Sequence, residues 1–350
     1  MIRNAITRLI AAFVALGSLV LSLVAQDRVA TPDAEPQPPA RPFLWRIEGA
    51  VPSYLFGTIH LPDERVTTLH PAVESAVDGC DALYTELAMD LKLLSAATKG
   101  MMLPRGKSLR TVLPEPLYAK LEAFFAERKL PLGAMERMKP WVIATQVAMI
   151  DHLADLAKGK PLDLQLYQRA QDDDKEVGGL ETMDEQMGVF DSLSEAEQAE
   201  VLRKAIDQVE RYRREGRDLY EELIACYLSG EGERLEALMN ESNEDGDQEL
   251  NRRIEKALLD DRNRRMAERI VAKLRAEPRR SFFFAVGAAH YFGEVGLVEL
   301  LRDAGLQVTR VPESLTELRE ELERLRRELR TLQERVDALQ AGGGPQKKAG

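Results

Sequence analysis

Two of the four histidines share one local pattern: Gly57-Thr58-Ile59-His60 and Gly287-Ala288-Ala289-His290 each close an apolar run. Glycine there lets the backbone approach a ligand closely, and a neutral imidazole nitrogen is a ligand for divalent metals. A lone buried histidine is more often a hydrogen-bonded structural residue, so the weight rests on the pair. Glu86 follows the apolar run Ala82-Leu83-Tyr84-Thr85, where an unpaired carboxylate would be costly to bury. Two readings fit it: the third member of a two-His-one-carboxylate metal set, or a cap on the next helix. Glu181 ends Gly178-Gly179-Leu180 in the same way and suits a general base acting on an activated water. Arg262 and Asn263 lie in the charged run Asp260-Asp261-Arg262-Asn263-Arg264-Arg265, which by itself reads as solvated surface. His70, before Pro71, marks a helix start, and His152, with Asp151 and Asp155 nearby, reads as a solvated helix face.

The elements that must position these groups are legible in the hydrophobic pattern. Phe43, Trp45 and Ile47 alternate with polar residues, and Tyr54-Leu55-Phe56 follows a turn-rich stretch, which predicts a β-hairpin. A short helix from Pro71 to Val77 and a strand at Ala82–Thr85 come next. From Met89 to about Ala276 the pattern is mostly helical, with apolar residues at three- and four-residue spacing in Leu117–Arg128 and Trp141–Leu156. Ser194-Glu195-Ala196-Glu197 reads as a capping box, and Glu176–Glu181 as a strand that interrupts the helices. The run Phe282-Phe283-Phe284-Ala285-Val286 predicts a buried strand, followed by a helix at Glu294–Ala304 and a last strand at Gln307–Val311. His60, Glu86, Glu181 and His290 therefore each end a predicted strand, and ligands of open α/β sheets bind at the carboxyl ends of parallel strands.

The chain has 350 residues, 44% of them hydrophobic, with a net charge of −11. That suffices for a large buried core, and the acidic balance excludes a phosphate-neutralising nucleic-acid surface. Residues 1–25 carry Arg3 and Arg8 ahead of an uncharged run from Leu9 to Ala25, the pattern of a secretory signal; an uncleaved membrane anchor is the second reading. Both predict an exported protein, periplasmic or secreted. Residues 26–42 read as a Pro-rich linker, residues 43–312 as the α/β domain, 313–340 as a coiled coil and 341–350 as a tail. In the coiled coil Leu315, Leu318, Leu322, Leu325, Leu329, Leu332, Val336 and Leu339 occupy a and d positions, which predicts a homo-oligomer. Cys80 and Cys226 belong to no Cys-x-x-Cys pair, so a thiolate zinc site is excluded; a disulfide and two buried thiols both remain open.

In order along the chain, Ser53-Tyr54-Leu55-Phe56-Gly57-Thr58-Ile59-His60, Tyr84-Thr85-Glu86-Leu87, Met138-Lys139-Pro140-Trp141, Gly179-Leu180-Glu181-Thr182 with Gln186, Arg262-Asn263 with Met266, and Ala285-Val286-Gly287-Ala288-Ala289-His290 with Gly293 form a pattern. It resembles the TraB/GumN family, which includes the Tiki proteases and pheromone-shutdown proteins, from about Phe43 to Val311. The resemblance implies an α/β domain of the erythromycin-esterase-like kind, with a central mixed or mostly parallel sheet and a large helical insertion. It also implies metal-dependent peptidase activity. By residue it carries metal binding onto His60, Glu86 and His290, with Mn, Co or Zn as the ion. Glu181, Arg262 and Asn263 become site neighbours, Arg262 suited to a substrate carboxylate or an oxyanion. The implied partner is a peptide or protein substrate; a peptide-sequestering protein without turnover is the alternative.

Overall fold

A computed structural model of the chain describes residues 39, 41–89, 99–239, 241, 248–311, 326, 327, 329 and 330. The expected signal, nearly all of the linker, most of the coiled coil and the tail lie outside them. Residues 326, 327, 329 and 330 are helical, and Leu329, an expected a position, is 67% exposed. Contacts divide the chain between Arg310 and Val311. No helix among the described residues is long and apolar enough to cross a membrane.

The hairpin forms as the alternation predicts: β1 (Leu44–Ile47) pairs antiparallel with β2 (Ser53–Thr58). β3 (Ala82–Leu87), β4 (Glu176–Glu181), β5 (Phe282–Gly287) and β6 (Val308–Arg310) complete one six-stranded sheet in the order β4-β3-β5-β2-β1-β6. β4, β3, β5 and β2 are mutually parallel, and β1 is antiparallel to both β2 and β6. The architecture is thus mixed α/β with many helices.

The centre of the sheet belongs to the most apolar run. Phe282, Phe283, Phe284, Ala285 and Val286 are fully buried in β5, flanked by strands on both edges and covered on both faces. Each phenylalanine removed from water contributes about 1.5–3 kcal/mol, so β5 anchors the parallel core. Between β3 and β4, and again between β4 and β5, the chain is helical. The Glu195–Glu215 helix opens at Ser194 with the predicted capping box, Ser194 Oγ accepting from the Glu197 amide while Glu197 accepts from the Ser194 amide, and it packs on the Pro140–Ala148 helix. Trp141 in the latter is buried and stacks on Phe190 with ring centroids 4.4 Å apart.

Several expected elements differ in extent, two of them by three residues or more at one end. The helix predicted over Trp141–Leu156 breaks after Ala148 into a 3-10 turn, Ile150–His152, and a short helix, Leu153–Leu156. Ile150 and Leu156 stay buried across the break, so the apolar periodicity carries no trace of it. The helix expected at Glu294–Ala304 begins only at Leu297, because Gly293 adopts φ +79 and turns the chain first. Cys80 and Cys226 are buried free thiols.

Candidate functional site

Register brings the strand ends together. Thr58 of β2 is paired with Gly287 of β5, Thr85 of β3 with Ala285 of β5, and Leu87 of β3 with Glu181 of β4. Parallel strands in this alignment deliver His60, Glu86, His290 and Glu181 to the carboxyl end of the sheet. Glu86, expected to end its strand, lies inside β3, which runs one residue further to Leu87, and is buried there.

Both imidazoles are fixed by their Nδ1 atoms. His60 Nδ1 lies 2.7 Å from Asp163 Oδ2, and Asp163 Oδ1 accepts the Thr58 hydroxyl at 2.5 Å. His290 Nδ1 lies 2.6 Å from Asn263 Oδ1. Asn263 donates its amide nitrogen to the Val295 carbonyl at 2.8 Å, which orients its oxygen toward His290. With acceptors at both Nδ1 atoms, each ring donates there and presents Nε2 to the site. His60 Nε2 and His290 Nε2 are buried without a hydrogen-bond partner, and they stand 3.5 and 3.7 Å from one atom, Glu86 Oε1. That oxygen also accepts the Gly287 amide at 2.8 Å.

The other side of Glu86 belongs to a buried ion network. Arg262, with no exposed surface, donates from Nη2 to Glu86 Oε2 at 2.5 Å and from Nε to Glu181 Oε2 at 2.8 Å. Glu181 Oε1 receives Arg265 at 3.1 Å, and Gln186 Nε2 bridges both glutamates at 3.2 and 3.3 Å. Arg262 and Asn263 open the Asp261–Ala276 helix just after a π-helical turn, Lys256–Asp260, a feature frequent at functional sites.

The protonation states follow from these neighbours. Burial acts against a charged imidazole at His60, yet Asp163 and Glu86 outweigh it and push its pKa up to about 10. Burial and then the Arg262 charge push His290 down to about 3, so its ring is neutral. Burial would raise Glu86, but Arg262, followed by His290 and His60, holds its carboxyl well below the ordinary range. The carboxylates therefore demand positive charge here, met by a second proton on His60 that a cation bound at Nε2 would have to displace.

A divalent cation suits that demand in kind. Two imidazole nitrogens and a carboxylate oxygen converge, each imidazole backed by an acceptor in the manner of metal-ligating histidines. A Cβ built on Gly287 would stand 3.0 Å from Glu86 Oε1 and 3.1 Å from His60 Nε2, so glycine keeps the space between the donors clear. Among the described residues no group of three or more His, Cys, Asp or Glu is already drawn together at ligating separation; Glu86 is held toward Arg262 and the Gly287 amide instead.

The structure thus brings together all six residues singled out in the sequence: His60, Glu86, Glu181, Arg262, Asn263 and His290. Glu181 reaches the site through Arg262 and does not touch either imidazole. His70 caps the Pro71–Asp78 helix, accepting from the Ala72 amide, and His152 is paired with Asp155 and Asp218; neither is part of the cluster. Asp163 was missed. It occupies the first turn of the Leu162–Asp172 helix, outside any motif, and the signal available was a carboxylate placed between Leu162 and Leu164. Replacing Asp163 by Asn is expected to weaken divalent-cation binding about 10- to 100-fold in a folded protein, measured by isothermal titration. Unchanged affinity would detach Asp163 from any role at His60.

The sequence profile of the TraB/PrgY/gumN family matches residues 43–310. Metalloprotease TIKI1 of Danio rerio is 28% identical over 79% of this chain and 64% of its own length. Metalloprotease TIKI2 of Danio rerio is 29% identical over 77% of this chain and 61% of its own; for Homo sapiens metalloprotease TIKI1 the figures are 29%, 77% and 62%. The chain therefore spans little more than three fifths of these relatives, between 61% and 64%. No solved structure matches it.

Proposed function

The chain belongs to the TraB/PrgY/gumN family, and from that premise we propose that it is a metal-dependent hydrolase acting on peptide bonds. One observation carries the reading: two buried Nε2 atoms without partners flank Glu86 Oε1 at the carboxyl ends of parallel strands. Metalloprotease naming of the relatives supports it.

His60 and His290 would hold the ion through Nε2, with Glu86 Oε1 as the oxygen donor, and zinc, manganese and cobalt all suit such a set. When bound, the ion supplies Lewis acidity. Asp163 and Asn263 keep the two rings turned toward one point. Arg262 holds Glu86 in place and keeps it ionised, so Oε1 is the atom placed to share the cation. Two roles read from sequence change here. Arg262 is spent on Glu86 and Glu181, which suits support of the carboxylate better than capture of an oxyanion. Glu181, gripped by Arg262 and Arg265, suits anchoring better than proton transfer.

The test combines metal analysis of the purified protein with cleavage of a peptide library, with and without chelator. His60→Ala and His290→Ala are each expected to release the ion and abolish cleavage, the double variant being little worse than either, since ligands act as a set. His70→Ala and His152→Ala should keep both properties. Folded single variants with stoichiometric metal and full cleavage would sink the shared site. The second reading, a protein that sequesters a peptide without cutting it, is favoured by the engagement of Glu86 with Arg262 and Gly287. Tight peptide binding without cleavage would select it.

A further inference from the structure

The imidazole pair has two unlike flanks. One is the polar network of Glu86 and Arg262. The other is a narrow apolar crevice walled by Leu61, Leu223, Tyr227, Leu235, Met239 and Ala288 and reaching both His60 and His290. Leu223 and Tyr227 come from the Leu219–Ser229 helix, and Leu235 and Met239 from the Gly232–Met239 helix. The two polar side chains of the wall other than the histidines are already spent. Thr58 donates its hydroxyl to Asp163, and Tyr227 donates its own to the Gly57 carbonyl at 2.9 Å.

We propose that this crevice is a specificity subsite that receives an aliphatic side chain of the residue flanking the scissile peptide bond. The proposal rests on the peptidase reading of the same site and adds the substrate class. His60, Gly287 and His290 belong to the lining of the crevice, so a side chain entering it stands beside the imidazoles. A Leu, Met or Val side chain there replaces hydration of apolar surface with contact. An Asp or Lys side chain would enter without a partner for its charge, because the wall hydroxyls are committed. Hydrophobic pockets of this kind discriminate by about 10- to 200-fold per methylene gained or lost.

The test uses an acetylated, amidated octapeptide library and the full chain, with cleavage sites read by mass spectrometry. The same peptides are also passed over immobilised His290→Ala protein and the retained ones identified. The expected result is cleavage about tenfold or more faster when Leu, Met or Val flanks the cut than when Gly, Asp or Lys does. Met239→Ala should shift the preference toward Phe, and Leu235→Phe toward Ala and Gly, so each variant checks the other. Cleavage without such a preference, or with one that neither variant moves, overturns the subsite and leaves the peptidase reading standing. Retention with the preference and both shifts, but no cleavage by the wild type, upholds the subsite and overturns the peptidase reading. Neither cleavage nor selective retention overturns both.

Discussion

Gly287→Ala is expected to abolish cation binding and hydrolysis in a protein that still folds. Gly287 has φ −51 and ψ 134, values open to alanine, so the substitution carries no backbone strain. What changes is the space in front of it. The new methyl would lie 3.0 Å from Glu86 Oε1, 3.1 Å from His60 Nε2 and 3.6 Å from His290 Cδ2, among the three groups proposed to hold the ion. Loss of affinity should exceed the roughly 10- to 100-fold produced by changes behind the ligands, while stability in chelator should move by no more than about 1 kcal/mol. Titration calorimetry and urea unfolding read the two effects separately. Wild-type affinity in Gly287→Ala would mean that the ion, if bound, sits elsewhere.

The companion glycine behaves differently, although the motif is the same. A Cβ on Gly57 would come 2.7 Å from Phe43 Cβ and 3.2 Å from the Ala288 backbone, which is crowding of the core and not of the donors. One Gly-x-x-His glycine therefore clears the site and the other lets β2 pack. Nothing in either tetrapeptide distinguishes them, because the difference lies in what the opposite strand brings near.

The positions of His60, His290, Glu86 and Glu181 at strand ends are readable because apolar runs of β character each close on a polar residue, and a parallel sheet then aligns those ends. The order of strands in the sheet is not readable, since β5 inserts between β2 and β3 although it follows them by most of the chain. Asp163 escapes notice because its partner, His60, is joined to it only through the fold. Arg262 hides in a charged run that reads as surface. A clue was present: Leu250, Ile254, Leu258, Met266 and Ile270 recur at four-residue spacing and are buried, and Arg262 falls on that stripe. A charge on an apolar stripe calls for buried partners, here Glu86 and Glu181.

That burial makes Arg262 the residue whose loss should cost the most stability. Its positive charge alone is shared by both carboxylates: Arg265, about one-third exposed at 33%, reaches Glu181 only, and His60 stands 3.5 Å from Glu86 only. Taking two carboxylates out of water is costly, and the geometry repays it only while the cation stands between them. Arg262→Met leaves Glu86 and Glu181 facing each other with Gln186 as their common donor, and the expected destabilisation is about 3–5 kcal/mol by urea unfolding in chelator. Arg262→Lys keeps the charge but not the two-sided fork, and should fall between wild type and Met. Adding Glu181→Gln to Arg262→Met removes one of the opposed charges and should recover part of the loss, whereas Glu181→Gln in the wild-type background should destabilise. This sign reversal is what a buried network predicts and a solvated ion pair does not, because exposed pairs are worth at most about 1 kcal/mol in either background. An Arg262→Met protein as stable as wild type, or one made worse by the second substitution, would show that Arg262 does not hold the two glutamates together.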